Sequence, residues 1–247
     1  MTRIFLFLTL LTAPALLASS CTPAVTTPIG TIDFRQPGAQ RQQTLLVFLP
    51  GIHDGAEVFD DKGFVAALRA SGVRADMMGV EAHLGYYLKR EFVPRLRNDV
   101  IVPAKKEGYK RIWLVGISLG GFGAIWYDVE NPGDLAGIVI LAPYLGDEEV
   151  VEEVAKAGGM MAWSPDAGME PDDQHRIWQG LKVYGQEEKN AGRVFLGYGN
   201  SDKFATADGM LAVVLPPEQV FTVDGGHDWP TWNILWQRML TELPMER

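Results

Sequence analysis

The sequence predicts one doubly wound α/β domain on a mostly parallel sheet, carrying a small helical insertion. Three observations predict it. Apolar runs of strand length recur along the chain, and they are nearly continuous rather than alternating, as strands buried on both faces must be. Stretches of helical periodicity fall between these runs, the alternation that winds helices over a parallel sheet. One interval, 142–193, is too long for a simple crossover and must hold extra structure.

Taken in order, residues 21–43, rich in Thr, Pro, Gln and Arg, read as a tether with a short edge strand at 29–34. The domain proper is expected at 44–247. Its strands are expected at 45–49, 75–80, 111–117, 135–141, 194–198 and 219–223, and its helices at 60–71, 90–107, 119–129 and 229–243. The last helix has Trp232, Leu235, Trp236, Met239, Leu240 and Leu243 on one stripe and Pro230 in its first turn. The insertion, about 145–192, contains an acidic helical stretch (147–157), then Met160, Met161, Trp163 and Met169, then a second helical stretch (172–189). Two readings are open for it. Its Met and Trp either line a pocket as a cap over the carboxyl edge of the sheet, or pack a small core of their own. No repeat or low-complexity segment is visible.

The chain has 247 residues, with 22 Lys and Arg against 31 Asp and Glu, a formal charge of −9. That balance argues against binding nucleic acid, which needs an excess of cations to neutralise phosphates. A single cysteine excludes an internal disulfide framework and a cysteine-cluster metal site. It stands at position 21, directly after a positive start (Met1-Thr2-Arg3), an apolar run (4–17) and three small residues (18–20), the pattern of a secretory signal peptide over 1–20. The apolar run is shorter than the ~20 residues of a spanning helix, and Pro14 interrupts it. Leu17-Ala18-Ser19-Ser20-Cys21 resembles the lipobox of bacterial lipoproteins, with Ala18 where that group prefers Leu. The resemblance implies lipidation of Cys21 and a lipid-anchored protein of the cell envelope, facing the periplasm. Plain cleavage would release a soluble secreted protein instead.

The chemistry is carried by Gly116-Ile117-Ser118-Leu119-Gly120-Gly121, placed where a strand ends and a helix begins. A serine on so tight a turn has its hydroxyl lifted clear of the sheet edge, and glycines two residues to either side avoid collision. The helix dipole points its positive end at that hydroxyl. A serine needs a base to act as a nucleophile near neutral pH. Of His53, His83, His175 and His227, only His227 follows the last expected strand, in Asp224-Gly225-Gly226-His227-Asp228. The orienting carboxylate should leave the preceding strand, which selects Asp202 over Asp224 and Asp228, both too near His227 in sequence to reach the far ring nitrogen easily. An oxyanion hole should combine the backbone amide of Leu119 with that of Ile52, in Pro50-Gly51-Ile52-His53 after the first long strand. His53 is a neighbour without a role. Tyr86, Tyr87, Trp163 and Trp178 either wall a pocket or pack the core.

Together these segments resemble the α/β-hydrolase superfamily over about 44–243. The stretch from Gly226 to Trp232 is further similar to esterases of the esterase D and enterochelin-esterase type. The resemblance implies hydrolysis of carboxylic esters or thioesters of small molecules through an acyl-enzyme on Ser118. The alternatives are an acyltransferase on the same fold and a non-catalytic ligand-binding surface lipoprotein. No metal or cofactor is implied, since neither His nor Cys is clustered at ligand spacing.

Overall fold

The computed structural model describes residues 23–165, 172–186 and 188–247; positions 1–20, Cys21 and Met169 lie outside them. Seven strands form one sheet: β1 (Thr31–Asp33), β2 (Thr44–Leu49), β3 (Asp76–Val80), β4 (Arg111–Ile117), β5 (Gly137–Leu141), β6 (Val194–Gly199) and β7 (Val220–Val223). Their spatial order is β1-β3-β2-β4-β5-β6-β7, with every pair parallel except the antiparallel pairing of β1 on β3. β2 and β5 are buried at every position, and β4 at all but its first, so the continuous apolar runs reflect helices on both faces.

The helices are α1 (Val58–Asp61), α2 (Phe64–Ser71), α3 (Leu84–Leu88), α4 (Phe92–Arg95), α5 (Val102–Lys106), α6 (Leu119–Glu130), α7 (Glu148–Lys156), α8 (Asp173–Gln186), α9 (Glu188–Ala191), α10 (Ala205–Ala212) and α11 (Trp229–Glu242). One face of the sheet is covered by α1, α2 and α11, where Phe48 stacks on Phe59, Phe64 stacks on Trp236, and Phe59 meets Phe64 edge-on. The other carries α3 to α6 and the insertion.

Several expected elements divide or shift. The helix expected at 60–71 is broken into α1 and α2 by Gly63, which adopts φ 86°. The helix expected at 90–107 runs through α4 and α5 with a π-helical stretch, Leu96–Ile101, between them. Pro103 explains that widening, because it donates no N–H and its ring crowds the carbonyl four residues earlier. β5 begins two residues later than expected, and neither α3 nor α10 was expected. The insertion packs its second helix against α6. Gly180 lies on Val129, and the Tyr184 hydroxyl donates to Asp128, which also holds Arg193 through two bonds at 2.7 and 2.8 Å. Met160, Trp163 and Trp178 are buried in the main core, while Met161 is half exposed.

Candidate active site

Ser118 joins β4 to α6 with φ 53° and ψ −113°, a backbone conformation that costs a non-glycine residue strain. Three hydrogen bonds hold it there. Its N–H donates to the Leu141 carbonyl at 2.9 Å, and its own carbonyl accepts from the Phe122 and Tyr144 amides, both at 3.1 Å. The turn is closed so tightly that a Cβ on Gly116 would strike the backbone of Gly120, and one on Gly120 the backbone of Leu49 and Pro50. The start of α6 is thereby pressed against the end of β2.

The serine side chain reaches His227. Ser118 Oγ lies 3.0 Å from His227 Nε2, although 109 residues separate them. His227 Nδ1 in turn lies 3.0 and 2.9 Å from the two carboxylate oxygens of Asp202. Because the carboxylate can only accept, Nδ1 donates to it, and Nε2 is left to accept from the serine hydroxyl. The loops that carry these two residues are stitched together. Asn200 N–H donates to the Val223 carbonyl at 2.8 Å and Ser201 N–H to the Gly225 carbonyl at 2.9 Å. Asp202 is buried and receives a further bond from the Phe204 amide at 2.8 Å. The imidazole is clamped edge-on between Phe204, 4.9 Å away, and Trp232, 5.0 Å away.

The rival carboxylates are occupied elsewhere. Asp228 caps the N-terminus of α11, accepting from the Thr231 amide and hydroxyl at 3.0 and 2.7 Å, bonds that hold its carboxyl below the ordinary range. Asp224 accepts from the Asn200 side chain at 3.1 Å. Among the described residues, no hydrogen bond joins the remaining histidines to Ser118. His83 caps α3, His175 bonds Asp172 at 2.7 Å and stacks on Trp163, and His53 is exposed in its loop.

Leu119 is the first residue of α6, whose opening amides have no intrahelical acceptor. Ile52 lines the same pocket as Ser118, and a Cβ built on neighbouring Gly51 would lie 3.9 Å from that of Ser118. This pocket has a volume of about 500 Å³. Its walls are Tyr87, Phe122, Trp126, Tyr144 and Phe204, with Leu84 and Leu88, and polar groups gather at Asp147, Asp173, Gln174 and Lys203. Burial, then the Asp147 carboxylate, pushes the Tyr144 hydroxyl well above its ordinary range. Hydrogen bonds from Gln174 and Tyr144 hold Asp147 below the carboxylate norm. Of the four aromatics considered from sequence, Tyr87 alone lines this pocket. Tyr86 turns to Thr26, and Trp163 and Trp178 pack the core. Phe204, Tyr144 and Trp232 were missed. Phe204 and Tyr144 carry no spacing signal, and Trp232 lies on the α11 stripe, where core packing explained it.

Among the described residues no group of three or more His, Cys, Asp or Glu is arranged to hold a metal ion. A hydroxyl bonded to an imidazole, itself oriented by a buried carboxylate at the edge of an apolar cavity, is equipped for proton transfer to and from a serine nucleophile.

The Esterase family profile matches residues 39–243. The chain belongs to the Esterase family. This esterase hydrolyses carboxylic esters as its class, and its fold is that of the α/β-hydrolases. Among solved structures it is similar to the S-formylglutathione hydrolase FrmB of Staphylococcus aureus, at 13% identity over 87% of this chain and 95% of that one, with a TM-score of 0.56. It is similar also to Est1E of Butyrivibrio proteoclasticus (14% identity, 86% and 96% covered, TM-score 0.55) and to a monoacylglycerol lipase of Paleococcus ferrophilus (16%, 87% and 97%, 0.53). A search of curated proteins finds no match to the esterase.

Proposed function

We propose that the esterase cleaves carboxylic esters, thioesters included, through an acyl-enzyme formed on Ser118. In this reading His227 Nε2 takes the Ser118 proton as the hydroxyl attacks the acyl carbonyl, then returns it to the leaving alcohol or thiol. Asp202 holds the imidazole in the required tautomer and stabilises the imidazolium that forms. The amides of Leu119 and Ile52 receive the oxyanion, where one lost donor costs about 3–4 kcal/mol. Water, deprotonated by His227, then releases the acid. The observation that carries the reading is the continuous row Ser118 Oγ, His227, Asp202, with every step at 2.9–3.0 Å.

The test is Ser118→Ala. It should abolish hydrolysis of p-nitrophenyl butyrate and labelling by a fluorophosphonate, while circular dichroism and melting temperature stay as in the parent. Undiminished turnover in that variant would overturn the assignment.

We also propose that residues 1–20 direct export and that Cys21 is acylated, holding the esterase on the envelope membrane. The support is the sequence pattern around an otherwise solitary cysteine. Metabolic incorporation of an alkyne-tagged fatty acid should label the parent and spare Cys21→Ser. Equal labelling of both would sink this proposal.

A further inference from the structure

The chain enters the described fold on the helix that forms one lip of the pocket. The Pro23 carbonyl lies against Gly85 of α3, where a Cβ would collide with it. Three residues on, the Thr26 amide donates to the Tyr86 hydroxyl at 3.1 Å, and that hydroxyl donates to the Thr26 carbonyl at 3.2 Å. The first described residues are thus fastened to a five-residue helix, only ~7.5 Å long.

The same helix presents Leu84 and Leu88 to the mouth of the cavity that holds Ser118. Leu88 is 65% exposed, and Ile52, also lining the cavity, is 43% exposed. Two large aliphatic side chains standing in water around one opening are an apolar rim without a covering element. Cations stand beside it. Lys89 follows Leu88 and is exposed, and Lys203, exposed and lining the cavity, lies over the Phe204 ring at 4.7 Å. Of the carboxylates there, Asp173 is paired with Arg90 at 3.0 Å, and Asp147 accepts from Tyr144 and Gln174.

Position decides what covers this rim. Cys21 precedes Pro23 by two residues, a span of at most ~7 Å of extended chain. An acyl group carried there would enter the bilayer beside α3. We infer that the mouth of the cavity docks on an anionic phospholipid membrane, with Leu88 and Ile52 entering the interface and Lys89 and Lys203 facing lipid phosphates. The inference rests on the reading of Ser118 as nucleophile, and it deepens that reading. The ester that reaches the cavity is one presented by the membrane, an acyl lipid whose chain leaves the bilayer for the aromatic walls.

The experiment uses the exported chain, residues 21–247, with Cys21→Ser, so that neither an acyl group nor the apolar run 4–17 contributes to the binding measured. It should co-sediment with vesicles of mixed phosphatidylglycerol and phosphatidylcholine. Leu88→Asp in that background should cut the bound fraction by roughly tenfold, and Lys89→Glu by about fivefold, with the difference shrinking in high salt. Both should melt as the parent does, and Lys89→Glu, outside the cavity lining, should keep its turnover of a soluble short-chain ester. Ser118→Ala should bind vesicles like the parent, which separates failure of the nucleophile assignment from failure of docking. No sedimentation of the Cys21→Ser chain, or undiminished sedimentation of Leu88→Asp, would overturn the inference. So would a Leu88-dependent dimer without vesicle binding, which would assign the rim to a second copy.

Discussion

Asp208 on α10 is fully buried within electrostatic reach of Asp202, and neither of its carboxyl oxygens has a hydrogen-bond partner among the described residues. Burial first, then the negative charge of Asp202, pushes its pKa well above the carboxylate norm. Of the two, Asp202 is the one bonded to the imidazole.

That asymmetry predicts a pH-dependent stability. Over the range between the ordinary carboxyl value of about 4 and the raised folded value, the folded chain keeps a proton that the unfolded chain has lost. Folding takes up a proton there, so stability falls as pH climbs through that window. Asp208→Asn should remove the loss. Its melting temperature should match the parent near pH 4 and exceed it at pH 7–8, by about 2–4 °C for each kcal/mol recovered. Calorimetry across that range checks it, and a gain that does not grow with pH would contradict it.

The two aspartates near His227 should separate cleanly. Asp202→Asn leaves the shape but removes the acceptor that fixes the tautomer, and kcat for a p-nitrophenyl ester should fall by about 10³–10⁴ with KM little changed. Asp228→Ala removes a helix cap instead. It should cost about 1 kcal/mol of stability and leave kcat within a few-fold, as steady-state kinetics with a denaturant titration will show.

A methyl group distinguishes two glycines on helices. Gly120→Ala forces a Cβ into the backbone of Leu49 and Pro50, immediately before Gly51 and Ile52. Stability should drop by about 1–3 kcal/mol, and turnover should fall with it because the Ile52 segment must shift. Gly209→Ala in α10 meets nothing closer than 3.9 Å, and it should be neutral or stabilising by up to ~1 kcal/mol. Urea unfolding of the pair, with activity measured alongside, tests both.

Asp128 ties the insertion to the main body. Its side chain is 1% exposed and holds Arg193 and the Tyr184 hydroxyl. Asp128→Ala leaves a largely buried guanidinium and a buried hydroxyl without their acceptor, at a cost of about 3 kcal/mol. A loss under 1 kcal/mol in urea titration would show that the network matters little.

Much of this architecture is written in local pattern. β2, β4 and β5 are continuous apolar runs because both faces of the sheet are covered, and that burial is visible one strand at a time. α11 announces itself by its stripe, with Asp228 and Pro230 at its start. Elements of a few residues carry no such pattern. α3 is five residues with a glycine inside it, and α10 is eight residues with Gly209 and no marked apolar stripe. Both were invisible until packing stabilised them, since an isolated helix that short does not form.

What the amino-acid order determined alone was the parallel-sheet domain, the serine turn with its two glycines, and the order in which serine, aspartate and histidine follow one another. These depend on burial, sterics and spacing within a few residues. What only the tertiary structure decided was that the serine, imidazole and carboxylate meet within 2.9–3.0 Å of one another in a row, which aromatics wall the cavity, and that Pro23 lies on the helix at its mouth. Those are meetings between segments as much as 109 residues apart, and they exist only once the sheet has brought its strand ends to one edge.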